Sequence, residues 1–203
     1  MDDPVEEVLP SQEVTQPVKI VKQRPVWLTF LIETLETLIL AVVLYFLIDS
    51  VVARVRVENI SMEPTLQPGD FLLVNKLSFK VGDIHRGDII VFHYPQNPKE
   101  DYIKRIIGMP GDTVKIGSGK VMVNDQVLNE PFISAEPVYA GTWLVPEDNL
   151  FVLGDNRNQS SDSHSWGYVP VANIVGKALV IYWPMDQFKI LTQPPAVSAA
   201  QAP

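Results

Sequence analysis

Apolar positions along the chain follow two regimes. Over residues 27–48 they are nearly continuous and end in Leu38-Ile-Leu-Ala-Val-Val-Leu-Tyr-Phe-Leu-Ile48. Beyond residue 54 they fall into short runs separated by Gly, Pro and Asp. The first regime predicts a helix. A membrane span needs about 20 mostly apolar residues, and this window is long enough, so residues 26–53 read as an amino-terminal transmembrane anchor. Glu33 and Glu36 interrupt its first half, which keeps a buried or interfacial amphipathic helix as the alternative. Trp27 and Tyr45 near the two ends, with Lys19, Lys22 and Arg24 just ahead, favour a span. A cleaved secretory signal fits less well: the stretch starts late, exceeds the usual apolar length and is not closely followed by a small-x-small site. Arg54 and Arg56 follow the helix, so the cation excess before it is slight; it points to a cytoplasmic amino terminus.

The second regime predicts strands. Val55, Val57 and Asn59 alternate with Arg56, Glu58 and Ile60, the two-residue period of a strand. Further apolar runs lie at 71–74, 88–92, 102–107, 113–116, 150–153 and 178–183. Turn signals separate them, among them Pro68-Gly69-Asp70, Arg86-Gly87-Asp88 and Met109-Pro-Gly-Asp112. Lys120-Val-Met-Val-Asn-Asp-Gln-Val-Leu128 reads as a hairpin about Asn124-Asp125. The fold class is therefore mainly β, a sandwich or barrel-like domain over residues 54–192. A small hairpin-rich lobe is expected as an insertion at about 117–149. Residues 1–25, acidic at the start, and the Pro/Ala-rich stretch 193–203 read as disordered.

Composition narrows the chemistry. The chain has 203 residues, 46% of them hydrophobic, enough to bury a core of ordinary domain size. A net charge of −8 argues against nucleic acid as the main partner, because phosphate binding requires a basic face. The absence of cysteine removes disulfides, thiolate nucleophiles and Cys-based zinc sites. His85, His93 and His164 are scattered and form no H-x-x-x-H pair, so a metal site has weak support; no cofactor is expected.

Three segments carry reactive groups. In Asn59-Ile-Ser-Met-Glu-Pro-Thr-Leu66, Pro64 fixes its own φ and disfavours helix at Glu63. Ser61 is thus expected at a strand end, a rigid place for a nucleophile, although an ordinary turn serine is the plainer reading. In Asp101-Tyr-Ile-Lys-Arg-Ile-Ile-Gly108 two adjacent cations interrupt an apolar strand. Neighbouring strand residues face opposite sides, so one of Lys104 and Arg105 should point outwards and the other into packed apolar surface; both snorkelling to water is the alternative. A desolvated Lys104 gives up its proton more readily, and its neutral amine could then accept a serine proton. Arg105 cannot, since its guanidinium stays charged. The third segment runs from Gly154-Asp-Asn-Arg157 through Ser160-Ser-Asp-Ser-His164 to Trp166-Gly167. It is dense in short polar side chains that bond loop backbone, and a surface loop is its plain reading. Asp162-Ser163-His164 imitates a catalytic triad, but triad members come from separate segments.

Together these segments resemble the type I signal peptidases, membrane-bound Ser/Lys proteases of bacteria and related organelles. The likeness runs from the anchor to Trp183. It rests on Ser61-Met-Glu-Pro-Thr-Leu66, Gly69-Asp-Phe-Leu-Leu-Val-Asn-Lys76, Arg86-Gly-Asp-Ile-Ile-Val-Phe92, Tyr102-Ile-Lys-Arg-Ile-Ile-Gly-Met-Pro-Gly-Asp112 and the 154–167 segment, in the family's order. The resemblance implies Ser61 as nucleophile, Lys104 as general base and Ser160 as the hydroxyl that orients the lysine amine. It also implies that Gly154, Asp155 and Asn156 shape the loop beside the site, that Asp162 and Arg157 brace it, and that the Ser61 N–H donates to the oxyanion. Some members place a second donor, a serine, two positions before the nucleophile. Here that position is Asn59, whose side-chain amide is expected to donate. Many members pair the aspartate with an arginine where this chain has His164, which pairs fully with Asp162 only when protonated.

The resemblance also implies that Val57, Met62, Leu66, Tyr102 and Ile103 wall shallow pockets for the small residues of a cleavage site, with the substrate extended along those strands. The implied partners are signal peptides of exported preproteins and the lipid bilayer, with the export machinery as a neighbour. The implied location is the inner (plasma) membrane, with the catalytic domain outside the cytoplasm, or a thylakoid membrane. Two rival readings stand beside this one. Self-cleaving repressors share the chemistry but need a DNA-binding helical domain where this chain has an apolar anchor. A membrane-tethered, non-enzymatic β interaction domain would dispense with Ser61 or Lys104.

Overall fold

The computed structural model describes residues 25–78 and 84–191. The stretches expected to be disordered, 1–25 and 193–203, lie outside these residues apart from Pro25. The chain divides into a first unit ending at Val43 and a second beginning at Leu44.

Helix α1 (Val26–Val51) contains no buried residue, and it is long and apolar enough to cross a membrane. At about 1.5 Å per residue it extends about 39 Å, against about 30 Å for a hydrocarbon core. Thr34 and Thr37 donate their hydroxyls to the carbonyls of Phe30 and Glu33, each at 2.8 Å, so the helix satisfies them internally. Near its carboxyl end, Lys76 Nζ donates to the Asp49 carbonyl (2.6 Å) and the Lys76 N–H to that of Val51 (2.8 Å). These fill acceptors that a helix terminus leaves open.

Strand β1 (Val52–Arg56) follows directly, then β2 (Phe71–Asn75), β3 (Ile89–Tyr94), β4 (Asn97–Gly108), β5 (Thr113–Gly117), β6 (Lys120–Val123), β7 (Gln126–Val127), β8 (Gly141–Leu144) and β9 (Asn149–Leu153). A single-turn helix α2 (Ser163–Trp166) precedes β10 (Val169–Pro170), β11 (Ile174–Trp183) and β12 (Lys189–Ile190). The protein is mainly β. One sheet has eight strands in the order β1-β2-β11-β3-β4-β9-β10, with β12 on β11; a second has four, in the order β7-β6-β5-β8. Their pairings are antiparallel.

The continuous apolar run of β3 is explained by cover on both faces. Ile89 and Val91 pack with Val57, Met62, Leu66, Leu72 and Val74, while Ile90 and Phe92 pack with Ile106, Leu150, Val152 and Ile174. A strand covered on both sides has no polar face to alternate with. The second sheet buries Val114, Ile116, Val121 and Val123 against Ile107, Phe151 and Leu153. Its β6–β7 turn is Asn124-Asp125, both at positive φ (51° and 62°), as a two-residue hairpin turn requires. This sheet spans Thr113 to Leu144, against 117–149 in the sequence reading.

Two departures bear on the site. The alternation predicted through Ile60 stops at Arg56. Val57 still exchanges backbone bonds with Asp70 and Gly69 (2.8 Å each), after which bonds from Glu63 to Ile60 and from Leu66 to Met62 close a tight turn. Ser61 therefore lies in a turn rather than at a strand end. Secondly, Lys104 and Arg105 are both buried, at 2% and 3% exposure. Neither points to water, because both faces of β4 are covered at this level.

Candidate active site

Ser61 is fixed by its backbone. The Asn156 N–H donates to the Ser61 carbonyl and Asn156 Nδ2 to the Ile60 carbonyl, both at 3.1 Å. The loop after β9 can approach so closely because residue 154 is glycine. A Cβ there would collide with the Ser61 carbonyl oxygen and with Ser160 Oγ.

Lys104 reaches the same place from β4, where it pairs with Ile90 of β3. Its Nζ lies 2.8 Å from Ser61 Oγ and 3.0 Å from the Ile103 carbonyl, with the Tyr102 ring centroid 5.4 Å away. Burial lowers the Lys104 pKa from 10.5 to about 8, the charges of Asp162 and Asp155 opposing part of the shift. An amine with this pKa is neutral in about a tenth of molecules at pH 7, against fewer than about one in a thousand for an ordinary lysine, and a neutral amine is a proton acceptor.

Around this pair the buried charges are matched. Arg105 grips Asp155 through Nε (2.8 Å) and Nη2 (2.6 Å) and donates to the Gly87 carbonyl (2.7 Å). Thr65 Oγ1 donates to the same carboxylate, and Phe132 covers the guanidinium at 4.0 Å. Arg157 makes a two-pronged pair with Glu130 (2.9 and 2.7 Å) and donates from Nε to the Gly154 carbonyl (3.1 Å). Asp162 accepts from the Gly154 N–H (2.9 Å) and faces His164 Nδ1 at 2.6 Å. The His164 ring stacks on Tyr139 at 3.9 Å, and burial raises the Tyr139 pKa.

A cleft of about 740 Å³ opens over Ser61 and Lys104. One wall is residues 55–60, the other residues 99–103, with Gln159 and Ser161 at the rim. The first wall is the end of β1 (Val55 and Arg56) and the segment leading into the Ser61 turn, and the second is the first half of β4. Among the described residues β1 pairs only with β2, and the β4–β9 ladder begins at Arg105, so the first half of β4 pairs only with β3.

Most residues singled out in the sequence meet here, and some do not behave as expected. Val57, Met62, Tyr102 and Ile103 line the cleft. Leu66 does not: it is fully buried in the core beneath, packed with Val57, Met62 and Leu72. Ser160 Oγ is buried beside Gly154 and makes no hydrogen bond among the described residues, so the expected bond to the lysine amine is not formed here. Asn59 presents its amide oxygen, not its nitrogen, to Ser61: Oδ1 accepts from the Ser61 N–H (3.2 Å) and Oγ–H (2.7 Å). The sequence reading missed Glu130, Phe132 and Thr65. Glu130 and Phe132 flank Pro131 in a turn-like stretch, and nothing local marks them as partners of Arg157 and Arg105. Among the described residues, no group of three or more His, Asp or Glu side chains is gathered as a metal would need.

The chain matches the family described as signal peptidase, peptidase S26, over residues 31–183. It belongs to that family. Signal peptidase I of Leptolyngbya laminosa is 46% identical over 175 residues, covering 82% of this chain and 86% of the relative. The probable signal peptidase I-2 of Synechocystis sp. is 44% identical, covering 77% and 75%. Signal peptidase I of Bacillus caldolyticus is 44% identical, covering 65% and 80%. This member of the signal peptidase family is accordingly a hydrolase, a peptidase that removes signal peptides, and the reading as a non-enzymatic tether falls away.

Proposed function

We propose that this chain is a membrane-anchored serine peptidase working through a Ser61/Lys104 dyad. The observation that carries the reading is the 2.8 Å contact between the Ser61 hydroxyl and a buried lysine amine whose pKa has dropped to about 8. With Lys104 neutral, the Ser61 O–H passes its proton to Nζ as Oγ bonds to the scissile carbonyl carbon. The negative charge that develops on the carbonyl oxygen is met by the backbone N–H of Ser61. The C–N bond then breaks, Nζ returns the proton to the leaving amine, and the signal peptide remains as an ester on Ser61. Water attacks that ester, gives a proton to Nζ and releases the acid, with the proton returning to Oγ. A buried hydroxyl without a partner costs about 1–3 kcal/mol. Ser160 Oγ therefore has a motive to turn towards the amine once the cleft is filled, which is the orienting role proposed for it.

The open edge of β4, facing the segment 55–60, suits an extended peptide laid between them. Val57, Met62, Tyr102 and Ile103 then meet its side chains, and shallow contact there selects small residues. Asp155, Asn156, Arg157 and Asp162 hold the loop behind the nucleophile. Helix α1 is read as the span, with the amino terminus cytoplasmic and the β unit on the outer side of an inner (plasma) or thylakoid membrane. The test uses the full chain in lipid vesicles with a purified preprotein. One cut after a small-x-small site is expected, absent in Ser61→Ala and absent when the residue before the cut is made leucine. Undiminished cutting by Ser61→Ala contradicts the reading.

A further inference from the structure

The Asn59 side chain sits where an incoming carbonyl has to go. A backbone N–H can only donate, so the Asn59 atom facing the Ser61 N–H is its amide oxygen. That same N–H is the one the scissile carbonyl oxygen must engage as it becomes an oxyanion. The Ser61 hydroxyl has a single proton, and while that proton lies on Asn59 Oδ1 it cannot lie on Lys104 Nζ. Nζ accordingly meets Oγ as a donor rather than as the acceptor a general base must be. Resting on the dyad reading above, we infer that Asn59 is a built-in stand-in for the scissile carbonyl: its amide oxygen occupies the oxyanion seat and holds the Ser/Lys pair in an unreactive hydrogen-bond pattern until substrate displaces it.

The surroundings allow this exchange. Residues 58–60 are exposed, so Asn59 can leave without moving the core. A peptide carbonyl offers the Ser61 N–H the same kind of acceptor, and its arrival frees the hydroxyl to turn to Lys104. Binding of a peptide and activation of the base become one event. The charges that face Lys104, Asp155 and Asp162, and the Tyr102 ring beside it are untouched by the displacement. Asn59 is thus a positioning residue, and its removal should raise the share of binding-competent enzyme.

The experiment compares Asn59→Ala and Asn59→Asp in the full chain, reading kcat, KM and the pH profile of kcat/KM on a preprotein, with Lys104→Met alongside. Asn59→Ala is expected to raise kcat/KM about 3- to 10-fold, mainly through KM. It should also move the acid limb of kcat/KM down by about half a unit, because the ammonium form loses its supporting bond pattern. Asn59→Asp keeps the acceptor and adds charge, and is expected to shift both quantities the opposite way. Asn59→Gly, which also lacks the acceptor and adds no donor, reports the same direction as alanine should that variant fail to fold. A fall in kcat of about 10²-fold in Asn59→Ala at unchanged KM overturns the inference and makes Asn59 an oxyanion donor instead. Shifts of one sign in both variants, or none in either, also overturn it. Activity retained in Lys104→Met is a different failure, that of the dyad reading itself.

Discussion

A lysine amine stripped of water holds its proton less firmly, and this single effect links Lys104 to both stability and reactivity. Its folded pKa of about 8 lies below the ordinary 10.5 because burial disfavours the ammonium form. Below about pH 8 the amine is charged in both folded and unfolded chains, and the folded state alone bears the cost of burial. As pH climbs from about 8 towards 10.5 the unfolded chain holds the proton longer, so stability rises with pH across that window. Lys104→Met, which removes the charge and keeps the apolar stem, should exceed wild type by about 1–3 kcal/mol at pH 7, narrowing as pH approaches 10.5. Urea denaturation at several pH values checks this; a variant less stable at pH 7 contradicts it. At this scale the sequence was informative about Lys104, since two cations inside an apolar strand need a special environment. It was silent about Arg105, whose carboxylate partner Asp155 lies 50 residues away and meets it only once β4 and β9 have paired.

The elements act through their edges and the loop behind them. β4 is twelve residues long, twice the apolar run seen in the sequence, because its first half pairs with β3 while its other edge stays open on the cleft. No hydrophobic signal marks residues 97–101, so pattern alone ended the strand too late at its start. β1 failed in the other direction: alternation ran on to Ile60, but the backbone bonds of Val57 with Asp70 and Gly69 draw the chain into the turn that carries Ser61. Asn124-Asp125, by contrast, needed only local turn chemistry, and the structure has its hairpin there. The Arg105–Asp155 pair joins β4 to the loop that clamps Ser61. Asp155→Asn leaves a buried guanidinium short of its counter-charge and should cost about 3–5 kcal/mol. The measure is the urea midpoint at pH 7; a change within about 1 kcal/mol would mean that solvent reaches this pair.

At the scale of the whole molecule, the apolar helix and the β unit have separable tasks. A membrane anchor raises the local concentration of enzyme around substrates held in the same bilayer and adds nothing to the chemical step. Removal of residues 1–43 is therefore expected to leave cleavage of a short soluble peptide within about threefold of the full chain. Cleavage of a preprotein held in vesicles should drop by about 10- to 100-fold. Equal losses on both substrates would assign the helix a structural part in the β unit. The central claim is that the neutral amine of Lys104 takes the Ser61 proton, and kcat/KM on a preprotein across about pH 6 to 10 tests it most directly, for wild type and Lys104→Met. The wild-type value is expected to fall about tenfold per unit below about pH 8, and the Lys104→Met value to lie at least about 10³-fold lower without that limb. A Lys104→Met enzyme within about tenfold of wild type, or one that keeps the same acid limb, would show that another group is the base.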